Sequence, residues 1–324
     1  MRNQIFIMLG LLLAVCLIII GVTSKDQLVE PKRSTISIAS QYGLAYAPLQ
    51  IMERTSVLKD ALPPGTLIVW KNLSNTAAIR EAMLADEVDI GFMAIPPFLI
   101  GRQNGMQWKI ASALCESPTG LVSSKNSIRS INDITEKDQI ALPQPGSIQH
   151  ILLSMASNKA FGDPAKFDDQ LISLSHPDGY AAMLAKGDIS LHFTTLPYLA
   201  QELAEPSFHQ ILSGENILGE PFSFIVGACP EKFHDGSPEL YEGFLKALDE
   251  TILWMENHPD ETASMLAPIY GLEEDEIKYQ LPQMRFDRTV RGLGPISDFM
   301  VESGLIDLPE QNQDALYFEG TLYE

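Results

Sequence analysis

Cysteine is scarce in this 324-residue chain, with three residues at Cys16, Cys115 and Cys229. That number excludes a scaffold built on many disulfides and a four-cysteine zinc site. Positive charge is scarce as well. Lys and Arg number 22 against 42 Asp and Glu, a formal net charge of −20. Such a balance excludes the phosphate neutralisation on which nucleic-acid affinity rests. It also excludes adhesion to anionic lipid, and it reads physically as solubility. Missing too are G-x-S-x-G, a Gly-rich phosphate loop ending in Lys, H-E-x-x-H and a dinucleotide fingerprint. Their absence leaves an enzyme reading little support, and no cofactor is expected. What is present is ordinary globular material. Hydrophobic residues make up 45% and charged residues 20%, enough for a sizeable core over about two domains.

The amino terminus is more specific. Met1-Arg2-Asn3 is a short positive start, and Ile5 to Gly21 is an unbroken apolar or small run before Val22-Thr23-Ser24-Lys25. Residues 1–24 therefore read as a secretory signal cut at Lys25. The 17-residue run also reaches the lower edge of a membrane span, so an uncleaved anchor is the alternative. Lipid attachment at Cys16 is a third option, against which stand the bulky Val15 and the apolar run through Ile20. All three place the folded part outside the cytoplasm, in the periplasm or on the outer face of the cytoplasmic membrane. Residues 25–33 are a polar tether. Cys115 and Cys229 then remain, either as one disulfide or as two buried thiols; spacing does not choose between them.

One stretch occurs twice, about one hundred residues apart. The first copy is Ala82-Met83-Leu84-Ala85, Asp89-Ile90 and Pro97-Phe98-Leu99; the second is Ala182-Met183-Leu184-Ala185, Asp188-Ile189 and Pro197-Tyr198-Leu199. Each reads as a helix end, a turn, a short strand, a loop and a new helix. The period is too long for a solenoid and suits two similar α/β lobes. Strands alternating with helices imply mostly parallel sheets. The expected class is α/β with two lobes, residues 34–121 with 226–324 as lobe I and residues 122–225 as lobe II. The hinge falls near residues 120 and 225. Ligands bind such sheets at the carboxyl ends of strands, so facing lobes make a cleft.

Six loops sit where a strand gives way to a helix start. They are Gln41-Tyr42-Gly43-Leu44-Ala45-Tyr46, Ser74-Asn75-Thr76, Ala94-Ile95, Gln144-Pro145-Gly146-Ser147, Ser175-His176 and Thr194-Thr195. Helix starts carry unpaired N–H groups and a partial positive charge, which favour anions and polar acceptors. The same Ser, Thr and Asn residues cap helices whatever the function. His150, His176 and His192 lie in or beside lobe II loops. Three imidazoles suit zinc, yet they come from three separate elements, so hydrogen bonding to a ligand is preferred and no metal is expected. Tyr42 and Tyr46 offer ring faces to an organic ligand.

Several of these segments resemble one known family. Gln41-Tyr42-Gly43-Leu44-Ala45-Tyr46-Ala47-Pro48, Glu87-Val88-Asp89-Ile90-Gly91-Phe92, Pro145-Gly146-Ser147 and Gly187-Asp188-Ile189 resemble the nitrate/sulfonate/taurine family of ABC-transporter solute-binding proteins. Relatives of that family bind thiamine-precursor pyrimidines. The resemblance covers about residues 34 to 270. It implies a two-lobed type II periplasmic-binding-protein fold, working as a monomer, that closes on a small solute and delivers it to a membrane permease. It also implies ligand positions at Gln41-Tyr42, Ser74-Asn75-Thr76, Ala94 and Ser147. The six loops hold no Lys or Arg, and Arg80 lies a turn inside its helix. An anion would rely on helix starts, hydroxyls and histidines, and a neutral or zwitterionic solute is equally compatible. The alternatives are an extracytoplasmic sensor without a permease and an enzyme related to pyrimidine-precursor synthesis.

Overall fold

Aliphatic and β-branched runs place the strands in two separate five-stranded sheets. The structure is a computed structural model describing residues 34–307 and 313–324. The signal or anchor, the tether and Cys16 lie outside the described residues. β1 (Thr35–Ser40) buries its four interior positions, as expected for a strand covered by helices on both faces. It is followed by α1 (Ala47–Arg54), β2 (Leu67–Asn72), α2 (Thr76–Leu84), β3 (Ile90–Met93), α3 (Ile95–Gln103) and β4 (Trp108–Cys115). The chain then enters the second sheet. There it forms β5 (Thr119–Ser123), β6 (Gln139–Leu142), α4 (Ile148–Phe161), β7 (Leu171–Ser173), α5 (His176–Ala185), β8 (Ile189–Thr195), α6 (Tyr198–Ala204) and β9 (His209–Ser213). It returns through β10 (Ile225–Pro230) and ends in α7 (Pro238–Asn257), α8 (Pro259–Tyr270), α9 (Glu274–Gln280) and α10 (Leu293–Glu302).

The two sheets have one plan. Their strand orders are β2-β1-β3-β10-β4 and β7-β6-β8-β5-β9. In each, three parallel strands are joined by an antiparallel one and an edge. β10 lies antiparallel between β3 and β4, and β5 lies antiparallel between β8 and β9. Each antiparallel strand is therefore the one that has just crossed from the other half of the chain. The crossings are residues 116–118 and 214–224, so the sheets are tied by two short covalent links.

The repeated stretch falls at equivalent places. α2 and α5 begin one hundred residues apart, and both lead into a left-handed non-glycine residue, Asp86 at φ 57° and Lys186 at φ 52°. The copies then diverge. α3 starts directly after Ala94, whereas β8 continues through Thr194 and Thr195, which pair with Gly120 and Thr119 of β5. The expected helix cap at Thr194-Thr195 is thus corrected: both are strand residues, and α6 begins only at Tyr198. β-branched side chains favour extension when a partner strand faces them.

A disulfide between Cys115 and Cys229 is excluded. Both thiols are free and buried. Cys115 pairs with Ile225 and Cys229 with Lys109 on adjacent antiparallel strands. Six residues of β4 thus separate the two levels, on the order of 20 Å at strand rise, far beyond disulfide reach. Burial holds both thiols well above the ordinary thiol range, so neither is a nucleophile at neutral pH.

Candidate functional site

Four helix starts converge on one cavity between the sheets. Its wall includes Thr76 at the start of α2, Ala94 before α3, Ser147 with Ile148 and Gln149 at the start of α4, and Ser175 with His176 at the start of α5. The sequence fixes each start locally. Asn75 Oδ1 accepts from Ala78 N–H at 3.0 Å, Ser147 Oγ from His150 N–H at 3.3 Å and Ser175 Oγ from Asp178 N–H at 3.4 Å. These caps engage the third helical N–H. The first N–H groups, on Thr76, Ala77, Ile148, Gln149 and His176, are those a helix leaves without an intrahelical partner. α3 contributes Ile95 N–H alone, since Pro96 and Pro97 have none.

The cavity gathers most of the residues anticipated from sequence. Gln41, Tyr42 and Tyr46 come from the loop after β1, Ser74 and Thr76 from that after β2, and Ala94, Ser147, His176 and Thr195 complete the set. Gln41 Nε2 donates to Thr76 Oγ1 at 3.2 Å, which fixes two of these loops together. Other anticipated residues are elsewhere. Ala45 and Ile95 are core residues with no exposure. Asn75 acts as a cap and Gln144 as a turn residue whose carbonyl accepts from Ser147 N–H. His150 turns away from the cavity: its Nδ1 accepts from Gly146 N–H at 3.0 Å, which leaves Nε2–H to donate to Asp168 Oδ1 at 3.0 Å. Its role is to hold the Pro145-Gly146 loop. Thr194 supports His176 from behind through a 3.0 Å bond to Nδ1. Residues missed from sequence include Gln149, Pro143, Phe224 and Ile225. Gln149 was findable, being in the first helical turn after the Ser147 cap; Phe224 and Ile225 reach the wall only because the chain crosses back there.

Asn75 and Ser147 therefore separate two effects. Asn75→Ala is expected to lower stability by about 1 kcal/mol, the usual worth of a cap, with solute affinity unchanged. Ser147→Ala removes a cap of the same kind and a hydroxyl in the cavity wall, so it lowers both. Urea unfolding beside calorimetric titration checks this, and a loss of affinity in Asn75→Ala would contradict it.

The cavity is small. Its volume is about 50 Å³, room for only a few waters at roughly 10–15 Å³ each. The two halves touch across it. Leu44 N–H donates to Leu196 O at 3.2 Å, and Gly146 lies so near α3 that a Cβ there would fall 2.8 Å from Ile100 Cδ1. No Lys, Arg, Asp or Glu contributes to the wall.

Beneath the wall lies a dry polar layer. His192 and Glu202 have no solvent exposure, and His192 Nδ1 is 2.5 Å from Glu202 Oε1. Burial drives both toward their neutral forms, the Glu202 carboxyl up to about 9 and the His192 imidazole down to about 3. The Glu202 O–H then donates to His192 Nδ1. Burial, with His192 nearby, also lowers His176 to about 3. His192 was anticipated as a ligand residue; its position in β8 instead points it into the lobe interior. Among the described residues no group of three or more His, Cys, Asp or Glu is placed to hold a metal ion.

These groups set a pH profile. From the ordinary value of 4.5 up to about 9, folded Glu202 holds a proton that the unfolded chain has released, so stability falls as pH rises. Between about 3 and 6.5 the unfolded chain binds protons that folded His176 and His192 refuse, so stability rises with pH. Stability is expected to peak near pH 6.5 and to fall on the alkaline side by at most about 1.4 kcal/mol per pH unit. Glu202→Gln flattens that side. Urea titrations at several pH values check it, and a native profile flat from pH 6.5 to 9 would contradict the neutral pair.

No family model matches the chain. A Bacillus subtilis (strain 168) protein named for binding aliphatic sulfonates is 23% identical over 283 residues, 84% of this chain and 82% of that protein. The alkanesulfonate-binding protein SsuA from Xanthomonas axonopodis pv. citri, solved bound to MOPS, aligns with a TM-score of 0.70 at 18% identity. It covers 85% of this chain and 93% of its own. The periplasmic aliphatic sulphonate binding protein SsuA from Escherichia coli aligns with a TM-score of 0.68 at 18% identity, over 90% and 94% of the two chains. The fold is that of the periplasmic binding proteins. The resemblance carried by the Gln41–Pro48 and Glu87–Phe92 motifs holds, and the α/β class with it. The proteins matched are named as binders, not as enzymes. In the described part of this periplasmic-binding fold, no helix is long and apolar enough to cross a membrane.

Proposed function

We propose that the protein is the extracytoplasmic solute-binding component of an ABC importer. It closes two lobes on a small anion of the sulfonate class and delivers it to a permease. The lobes are residues 34–115 with 225–324 and residues 119–213, joined by the crossings 116–118 and 214–224. The ligand positions are the cavity-wall residues Gln41, Tyr42, Tyr46, Ser74, Thr76, Ala94, Ser147, His176 and Thr195.

The observation that carries this reading is the convergence of four helix starts on one small cavity with no fixed charge in its wall. Helix starts supply N–H donors and partial positive charge without a desolvated Lys or Arg. Such a site suits a monovalent anion with several acceptor oxygens. It also discriminates against cations, which would meet the same dipoles repulsively. The named ligand class of the relatives agrees with this chemistry. An alkanesulfonate needs more of the space between the lobes than nitrate does, and so holds them further apart.

A thermal-shift series with ethanesulfonate, taurine, nitrate, bicarbonate and a pyrimidine tests the proposal. Binding to the folded state alone raises the melting temperature, by about 2.7 kcal/mol of stability at one hundred times Kd. The expected outcome is a concentration-dependent rise with a sulfonate. A rise with the pyrimidine alone would reject the sulfonate class, and no rise with any compound would reject the solute-binding role.

A further inference from the structure

His176 is the one basic side chain in the described wall of the cavity, and its surroundings are unusual for a histidine. Its Nδ1 is bonded to Thr194 Oγ1 at 3.0 Å, and its Nε2 is 3.4 Å from the Gln149 side-chain nitrogen at the cavity surface. The ring stacks on Tyr198, with centroids 6.2 Å apart, and lies 5.8 Å from His192. His192 Nε2 and Glu202 Oε2 are buried with no hydrogen-bond partner. Gly179 of α5 packs directly on the His192 ring, where a Cβ would fall 2.4 Å from Nε2. The layer behind His176 has no contact with bulk solvent.

Groups from several elements surround His176. β8 supplies His192 and Thr194, α6 supplies Tyr198 and, bonded to His192, Glu202, α4 supplies Gln149, and Tyr42 of the opposite lobe lines the same cavity. Its own helix supplies Asp178, which is solvent-exposed and engaged by Ser175 Oγ. No cation is among them. No ionised carboxylate is buried among them either, because Glu202 keeps its proton.

We propose that solute binding is coupled to the uptake of one proton on His176, so that positive charge appears in the cleft only when an anion arrives. The inference rests on the functional reading above. The balance is simple: the anion and one proton from water enter together, the imidazole takes the proton, and the complex gains no net charge. Protonation makes both ring nitrogens donors, with Nδ1–H kept on Thr194 Oγ1 and Nε2–H turned to the anion. In the empty cleft an imidazolium would be desolvated and uncompensated, which agrees with the lowering of His176 to about 3. An anion about 4 Å away, at an effective dielectric of about 20, raises proton affinity roughly a thousandfold.

Calorimetric titration of the protein with ethanesulfonate, in two buffers of different ionisation heat, tests the coupling. The affinity is expected to be flat above pH 7 and about tenfold tighter at pH 5 than at pH 7. The buffer dependence should report net proton uptake on binding between pH 5 and 6. The variant His176→Asn, which keeps a donor toward Thr194, should bind more weakly with no pH slope. In the native protein, the ring resonance of His176 should titrate at a clearly higher pH in the complex than in the free protein, a readout that needs no variant. Ethanesulfonate binding without proton uptake at pH 5 to 6 would overturn this inference and leave the functional reading standing. Absence of binding at every pH would overturn both.

Discussion

His192→Ala is expected to unfold with about 3–5 kcal/mol less free energy than the native protein. The ring is fully enclosed and touches Gly179, so its removal opens a space that the surrounding sheet and helix cannot collapse to fill. It also strands the Glu202 carboxyl, whose second oxygen already lacks a partner. The more informative experiment separates these two losses. Glu202→Leu alone leaves both His192 nitrogens unbonded, at a cost of about 1–3 kcal/mol. Replacing both members by leucine removes every unmade hydrogen bond at nearly constant volume, and such swaps of buried pairs are often close to neutral. The double variant should therefore lie within about 1.5 kcal/mol of the native protein, well above the sum of the singles. Urea denaturation followed by circular dichroism measures all three. A double variant as unstable as the summed singles would mean that the two side chains are not a coupled pair.

The second large effect is on closure. Gly146→Ala is expected to weaken solute binding by about tenfold or more, worth about 1.4 kcal/mol. Gly146 has φ 78°, a conformation that costs an alanine about 1–2 kcal/mol. The added Cβ would also press on Ile100 Cδ1 of the opposite lobe. Strain and closure are distinguishable. Ile100 is a flexible side chain on α3, so Gly146→Ala combined with Ile100→Ala relieves the contact and leaves the backbone cost. Recovery of affinity in the double variant, with stability still low, assigns the loss to closure. Affinity that stays low would assign it to distortion of the loop held by His150.

Much of this arrangement is legible in the sequence. The hundred-residue repeat is the signature of two sheets with one plan, and it holds down to the left-handed turn residues Asp86 and Lys186. Loops at helix starts are readable because capping needs particular residues at particular offsets; Asn75, Ser147 and Ser175 all cap where expected. Side-chain direction is not readable in the same way. His150, His176 and His192 look alike as loop-proximal histidines, yet only His176 meets the cavity. His150 is one turn further along α4 and faces Asp168; His192 has an interior position in β8, set by the alternation of the strand. Thr194 and Thr195 look like a cap, but pairing with Gly120 and Thr119 outweighs local capping preference. The separation of Cys115 from Cys229 depends on the register of β4 against β10, which no spacing rule encodes. The carboxy-terminal α10 and the strand β9 lacked strong periodic signals and went unread.

On the proposed function, an anion is held where the four helix starts meet. The most direct measurement is a crystal structure of the protein grown with 2-bromoethanesulfonate, with bromine and sulfur located by anomalous scattering. The expected result is a sulfur peak within hydrogen-bond distance of donors at the starts of α2 and α4, with Ser147 and His176 beside it. A sulfur peak outside the inter-sheet cavity, or an empty cleft at saturating ligand, would contradict the account.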